Sequence, residues 1–402
     1  MQIKRVKFKD IEQIPQLQLN KEFKEDFLGS SPAPFIGRFG YPNVNIGVLS
    51  PQFSGDTSYY DSPKLWSRSS FKIGQIASLR YGLVNSRSSA NVKEVLKGDS
   101  SKGGRFLEIV KEVGLAKNSA DLEINLKKKP QLQLKPEKEV IPFGPQAEIR
   151  KARITSNTKV DSRVERVVSD TDLKSGAALI SLYKKGFEES SLNKLLSVGN
   201  LGIGKDRKLV PTRWSITAVD DTIGKQLIKE IKDFQSGEYQ AYFGGEWGNY
   251  YLLLFFPEVW SYELFETYLG YKINPWSKEG HFYSTDYEDY GGRKNYAEET
   301  AGGYYTVRLA ALEKMKELKR QGSVLALRFI TTEYNVPLGV WVTREAARKS
   351  LQGRAITFSD EKLMLQYARL LILKKFGFEL DQLLKESKLL KNKKQQKKLS
   401  EF

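Results

Sequence analysis

The chain has 402 residues, 40% of them hydrophobic, which is enough to bury a sizeable core and excludes a disordered polymer. Its 65 Lys and Arg against 48 Asp and Glu give a net charge of +17, a field that favours polyanions and nucleic acid first among them. With no cysteine and a single histidine, His281, the composition excludes disulfides, thiol nucleophiles, Cys-ligated zinc, iron–sulfur clusters and His-rich metal sites.

Residues 1–25 are mixed and basic and read as an arm or an edge strand. No N-terminal signal pattern is seen, and the longest apolar runs, such as YYLLLFFP from Tyr250, are far too short to span a bilayer. A cytoplasmic protein with no membrane partner is expected. From Phe27 the stretch FLGSSPAPFIGRFGYPNVNIGVLSP is dense in Gly, Pro, Ser and Asn, which predicts tight turns around short extended pieces. Residues 92–115 read as a helix broken at SSKGG, and KKKPQLQLKPEKEVIPFGP, from Lys127 to Pro145, as an extended connection.

Ser169 to Lys194 is helical in pattern. In RWSITAVDDTIGKQLIKEIKDF, Trp214, Ile216 and Ala218 alternate with Ser215, Thr217 and Val219, and then Ile223, Leu227, Ile231 and Phe234 recur at helical spacing. This predicts a strand, an Asp220–Asp221 cap and a helix. YYLLLFFP predicts a buried strand, and PEVWSYELFETYLG a helix from Pro257 to Gly270. A helix over Tyr304–Lys319, a strand at VLALRFITTEY and a further strand at GVWV before the helical TREAARKSL follow. A last amphipathic helix from Asp360 to Phe376 leads into DQLLKESKLLKNKKQQKK, read as a mobile cationic tail. The expected fold class is α/β or α+β: a mixed sheet with packed helices and a flexible basic C-terminal tail.

Four segments, VPTRWSITAVDDTIG, GEWGNYYLLLFFP, AGGYYTVRLAALE and EYNVPLGVWVTREAAR, together with GSSPAPFIGRFGYPNVNIGVLSP near the start, resemble the archaeal Nre family of DNA repair proteins. The resemblance runs from about residue 25 to the C-terminus. It implies a role in DNA damage repair and carries no defined chemical activity with it. On this reading the chain divides into a basic N-terminal arm (1–25), an N-terminal Nre region (26–275), a C-terminal Nre region (276–380) and a Lys-rich tail (381–402). Many members carry a zinc-binding cysteine cluster near the N-terminus. This chain has no cysteine, so a DNA contact through such a module is not expected. Members also commonly end in a short peptide that docks on the replication sliding clamp, PCNA.

Gln396, Leu399 and Phe402 fit the clamp-peptide pattern Gln-x-x-aliphatic-x-x-aromatic. A spacing of three puts Leu399 and Phe402 on one side of a single 3₁₀ turn as an apolar plug, with Gln396 able to hydrogen-bond at the pocket rim. The second aromatic of such peptides is missing.

The remaining candidates form a proposed nucleotide or DNA pocket. Ser30, Ser31, Arg38 and Tyr41 lie among glycines whose amides can approach a phosphate, although tight turns alone also account for those glycines. Arg213 shares its expected strand face with Ser215 and Thr217, and Asp221 is either a helix cap or a ligand partner. Tyr304 and Arg308 are four apart near a helix start. The acids of the aromatic loop, Asp286, Glu288 and Asp289, with His281, read as a solvated loop, and no metal site is assigned. GNLGIGKD has the spacing of a phosphate loop, but Asp206 stands where Ser or Thr is required, which excludes a P-loop NTPase.

The sequence identifies no cofactor. Its leading reading is a DNA repair factor that binds DNA and is recruited by the sliding clamp. The alternatives are an enzyme acting on a nucleotide or damaged DNA through a pocket formed by the family motifs, and an adaptor whose body binds other repair proteins.

Overall fold

The computed structural model describes residues 4–5, 22–96, 104–131, 140–272, 274–277 and 279–395. The chain forms two compact units, one of residues 16–223 and 336–339, the other of 1–15, 224–335 and 340–402. Among the described residues both contain a mixed sheet and helices, an α+β fold. No described helix is long and apolar enough to cross a membrane.

The first described element, β1 (Lys4–Arg5), belongs to the sheet of the second unit. The first unit is built on β2 (Asp26–Ser31), β3 (Ala33–Ile36), β4 (Asn43–Ser50), helices α1 (Pro63–Arg68) and α2 (Ile73–Tyr81), β5 (Val84–Asn91), α3 (Gly104–Leu115), β6 (Ala120–Leu126) and β7 (Gln146–Ile154). Helices α4 (Ser162–Ser169), α5 (Ser175–Lys184), α6 (Glu189–Ser197) and the first half of α7 (Thr212–Ile231) complete it. The strands pair in the order β2-β6-β7-β5-β4-β3, antiparallel except for the parallel pair β5–β7. In NVNIGVLS the alternation is a strand period: Val44, Ile46 and Val48 enter the core with Leu107, Val110 and Val113 of α3, while Asn45 and Gly47 belong to the opposite face.

The second unit continues with β8 (Tyr239–Glu246), β9 (Asn249–Phe256), β10 (Ser261–Tyr268), β11 (Phe282–Glu288), α8 (Gly303–Leu318), β12 (Ser323–Ile330), α9 (Trp341–Gln352), β13 (Ile356–Phe358), α10 (Glu361–Phe376), α11 (Asp381–Glu386) and α12 (Lys388–Gln395). Its strands pair in the order β1-β11-β10-β12-β9-β8-β13. Leu252, Leu254, Leu327 and Phe329 on one face pack with Met364, Ala368 and Ile372 of α10, whereas α8 lies against β10, and α9 against β8 and β9. The expected strands at YYLLLFFP and VLALRFITTEY are β9 and β12, and the expected helices after Gly303 and Asp360 are α8 and α10. The Asp360 carboxylate accepts from the Leu363 amide and caps α10.

Four expectations are corrected. The segment from Thr212 is helical throughout, because Ser215, Val219, Ile223, Leu227 and Ile231, all buried, recur every four residues. Its β-branched start imitates a strand. PEVWSYELFETYLG gives β10 in place of a helix: the strand lies between β11 and β12 with both faces covered, so its aromatic and apolar residues show no clean period of two. GVWV is no strand, since α9 starts at Trp341. Residues 381–395 are not a mobile tail, because Leu383, Leu384, Leu389 and Leu390 join the core of the second unit. The Glu263 carboxylate accepts from the Ser387 hydroxyl (2.5 Å) and from the amides of Lys388 and Leu389, satisfying the start of α12. Residues 396–402 lie outside the described residues.

Candidate nucleic-acid interface

The face of the first sheet opposite its main core is organised in rows. Phe35 of β3 pairs with Gly47 of β4, Gly47 with Arg87 of β5, and Arg87 with Glu148 of β7. The next row runs Ala33, Leu49, Asn85 and Gln146. Residues paired in this way share one side of a sheet. Gly47 therefore leaves the middle of the face without a side chain, and a Cβ there would lie 2.2 Å from the Asn85 Oδ1. The Asn85 amide fills that space.

A segment from Val140 to Pro145 runs over this face. The Gly144 backbone amide donates to the Leu83 carbonyl (2.8 Å), and the Pro145 carbonyl accepts from the Asn85 backbone amide (2.9 Å). Arg80 Nε donates to the Pro142 carbonyl (2.8 Å), and its guanidinium pairs with Asp61 (2.9 Å). Lys194 reaches the other Asp61 oxygen at 3.0 Å. Burial alone would raise the Asp61 pKa, but Lys194 and Arg80 outweigh it and hold the carboxyl below its usual range. Phe143 meets Phe35 with ring centroids 4.7 Å apart.

Sheet and segment enclose a cavity of about 360 Å³ in the first unit, lined by Arg38, Arg87, Arg213, Asn85, Phe35 and Phe143 among others. Arg87 donates to Gln146 Oε1 at 2.6 Å. Asn85 is 1% exposed, and its Oδ1 has no hydrogen-bond partner. Arg87 and Gln146 also line a second, basic depression of about 570 Å³ with Lys127, Lys128 and Lys129. Glu148 belongs to it as well and pairs with Lys127 at 2.9 Å.

Beside the cavity, the turn between β3 and β4 exposes aromatic rings. Gly40 takes a left-handed conformation (φ +81°) and its carbonyl accepts from the Asn43 amide, closing the turn. The Arg38 guanidinium lies 4.6 Å from the Phe39 ring centre. Tyr41 packs against Trp214, the third residue of α7, with centroids 5.3 Å apart. Phe39 is 68% exposed, Tyr41 47% and Trp214 45%. Cationic guanidinium groups in a concave surface, rimmed by exposed aromatic faces, can hold phosphates and stack unpaired bases.

Of the residues expected at a pocket, the structure brings Arg38 and Arg213 together in this cavity, with Tyr41 on the adjoining turn. On a helix, Arg213 and Thr217 keep one side, and Ser215 turns inward to donate to the Thr212 carbonyl. Asp220 and Asp221 lie inside α7, away from any helix start, so the cap expected there does not exist. Ser30 and Ser31 are buried: Ser30 Oγ donates to Asp121 (2.5 Å) and accepts from the Gly55 amide (2.9 Å), and Ser31 Oγ donates to the Leu49 carbonyl (2.8 Å).

Tyr304 and Arg308 belong to the other unit and are buried in it. Arg308 donates to Glu288 at 2.9 Å with both side chains fully buried, and Glu288 also accepts from Trp260 Nε1 at 3.1 Å. Burial raises the Tyr304 pKa well above that of a free phenol. Asp286 accepts from the Glu299 and Thr300 amides and pairs with Arg293 at 3.0 Å, so it anchors the aromatic loop and is not simply solvated. Sequence reasoning missed Asn85, Arg87 and Trp214. For Asn85 and Arg87 the available signal was VNSRSSAN, a strand polar on both faces.

Two family models match the chain: the N-terminal region of archaeal Nre over residues 7–276 and the C-terminal region over residues 288–402. The chain belongs to the archaeal Nre family. It is 35% identical to DNA repair protein NreB of Archaeoglobus fulgidus over 88% of this chain and 87% of that protein. It is 36% identical to DNA repair protein NreA of Haloferax volcanii, over 83% of this chain and 80% of that protein. With NreA of Archaeoglobus fulgidus the identity is 34%, over 85% of this chain and 84% of the relative. No solved structure matches the chain. The Nre motif GSSPAPFIGRFGYPNVNIGVLSP thus corresponds to β2 through β4 with the Arg38–Tyr41 turn, and VPTRWSITAVDDTIG to the first half of α7.

Proposed function

We propose that this Nre-family protein is a DNA repair factor that binds single-stranded DNA along the first unit. The reading rests on one observation: the exposed Phe39 and the Tyr41–Trp214 pair stand beside a cavity lined by Arg38, Arg87 and Arg213, which shares Arg87 with a Lys127–Lys129 depression. Phosphates follow the cations, and bases splayed from the strand stack on the rings. A duplex keeps its bases paired and offers the rings nothing to stack on. The names of the relatives support DNA as the polymer and repair as its context. Photo-crosslinking of an iododeoxyuridine-substituted single strand, followed by peptide mapping, tests the assignment. Adducts on Phe39, Tyr41 or Trp214 are expected, and adducts confined to the second unit would refute it.

Recruitment to the sliding clamp through Gln396, Leu399 and Phe402 is the second part of the proposal. Its support is the Gln-x-x-Leu-x-x-Phe spacing in a Lys-rich setting, which favours rapid encounter with an acidic partner surface.

A further inference from the structure

We infer that the cavity receives one unstacked nucleobase, with Asn85 reading its hydrogen-bonding edge while Arg38, Arg87 and Arg213 hold the adjoining phosphates. This rests on the single-strand reading and deepens it, because stacking on exposed rings and arginine contacts to phosphate would need no enclosed space. The cavity, at about 360 Å³, falls in the size range of small-ligand pockets.

Its polar lining does not suit a phosphate alone. Asn45, Asn85 and Gln146 bring side-chain amides, which both donate and accept, as base edges do and phosphates do not. Asn85 carries the argument. A buried carbonyl oxygen without a partner is costly, and a ligand that supplies a donor removes the cost. Gly47 keeps the amide in its place, since any side chain there would collide with it. The Phe35–Phe143 pair gives the apolar wall a planar base requires. Planar, edge-polar and anionic together describe a nucleotide.

The test is calorimetric binding of dAMP, dGMP, dCMP and dTMP to the full chain, against 2-deoxyribose 5-phosphate, with a labelled single strand titrated in parallel by anisotropy. At least one mononucleotide is expected to bind about tenfold or more tighter than the sugar phosphate, the scale of a good base-edge contact. Asn85→Leu, of similar shape and checked for an unchanged melting temperature, is expected to abolish that preference and leave sugar-phosphate binding intact. If the sugar phosphate binds as tightly as all four mononucleotides while the strand still binds, the base-reading inference is overturned and strand binding stands. If the strand does not bind either, both fail. Because the comparison of ligands uses the unmodified chain, the inference can be overturned even should Asn85→Leu misfold.

Discussion

Tyr41 and Trp214 meet across the first unit with ring centroids 5.3 Å apart, one on the turn between two strands and the other on the first turn of α7, and each remains nearly half exposed. A pair that left water completely would be core. This pair holds two ring faces at the surface beside Arg38 and Arg213.

Trp214→Ala and Tyr41→Ala are therefore each expected to weaken single-strand affinity by about 1–3 kcal/mol, the usual cost of losing one base-stacking ring. The melting temperature should change little, since half of each ring's surface is already in water. Anisotropy titrations beside thermal melts check this, and a large drop in melting temperature with unaltered DNA affinity would make the pair purely structural.

The Arg308–Glu288 pair calls for the opposite result. Both side chains are fully buried, so Arg308→Met leaves the Glu288 carboxyl without its counter-ion, at a cost of about 3–5 kcal/mol. The double variant Arg308→Met/Glu288→Leu should recover part of that loss. Denaturant unfolding measures both. Single-strand binding by folded Arg308→Met protein should match the unmodified chain.

Asp61 predicts an acid transition. Its folded pKa lies below the unfolded value, so its contribution is complete above about pH 4 and is lost as the pH falls through the folded value. Asp61→Asn, which keeps Arg80 and Lys194 but removes their counter-charge, should be less stable than the unmodified chain at pH 7. The two stabilities should converge well below about pH 4. A stability difference unchanged across that range would mean that the charge of Asp61 is not its source.

Changing Leu399 and Phe402 to Ala is expected to abolish sliding-clamp binding in calorimetry, since two apolar side chains entering a pocket contribute roughly 1.5–3 kcal/mol each. With the second aromatic missing, micromolar affinity is expected for the unmodified chain. Equal clamp affinity in the double variant would refute the peptide assignment.

How much of this was legible in the sequence depended on what buried each segment. β9, β12, α8 and α10 were readable because length, end signals and apolar pattern agreed. β10 was not, because a strand covered on both faces shows no alternation; of α7 the part from Ile223 was read as a helix, but its start was not, because its β-branched opening outweighed the four-residue spacing of Ser215, Val219 and Ile223. At the site, Arg38 and Arg213 stood out as lone cations in family motifs. Asn85 and Arg87 did not, since only the register β3–β4–β5–β7 sets them around Gly47, and pairing between distant strands leaves no local mark. Tyr304 and Arg308 looked like ligand residues because they are polar, and burial beside Glu288 gives them a different task.

The most direct test of the account is the salt dependence of single-strand affinity for the unmodified chain and for Arg38→Gln/Arg87→Gln/Arg213→Gln. If these three guanidinium groups neutralise phosphates, the variant binds more weakly at low salt, and the slope of log K against log salt falls by about 2, since each phosphate contact on a single strand contributes about 0.7. An unchanged affinity and slope would show that the +17 charge acts elsewhere on the molecule and would contradict the proposed interface.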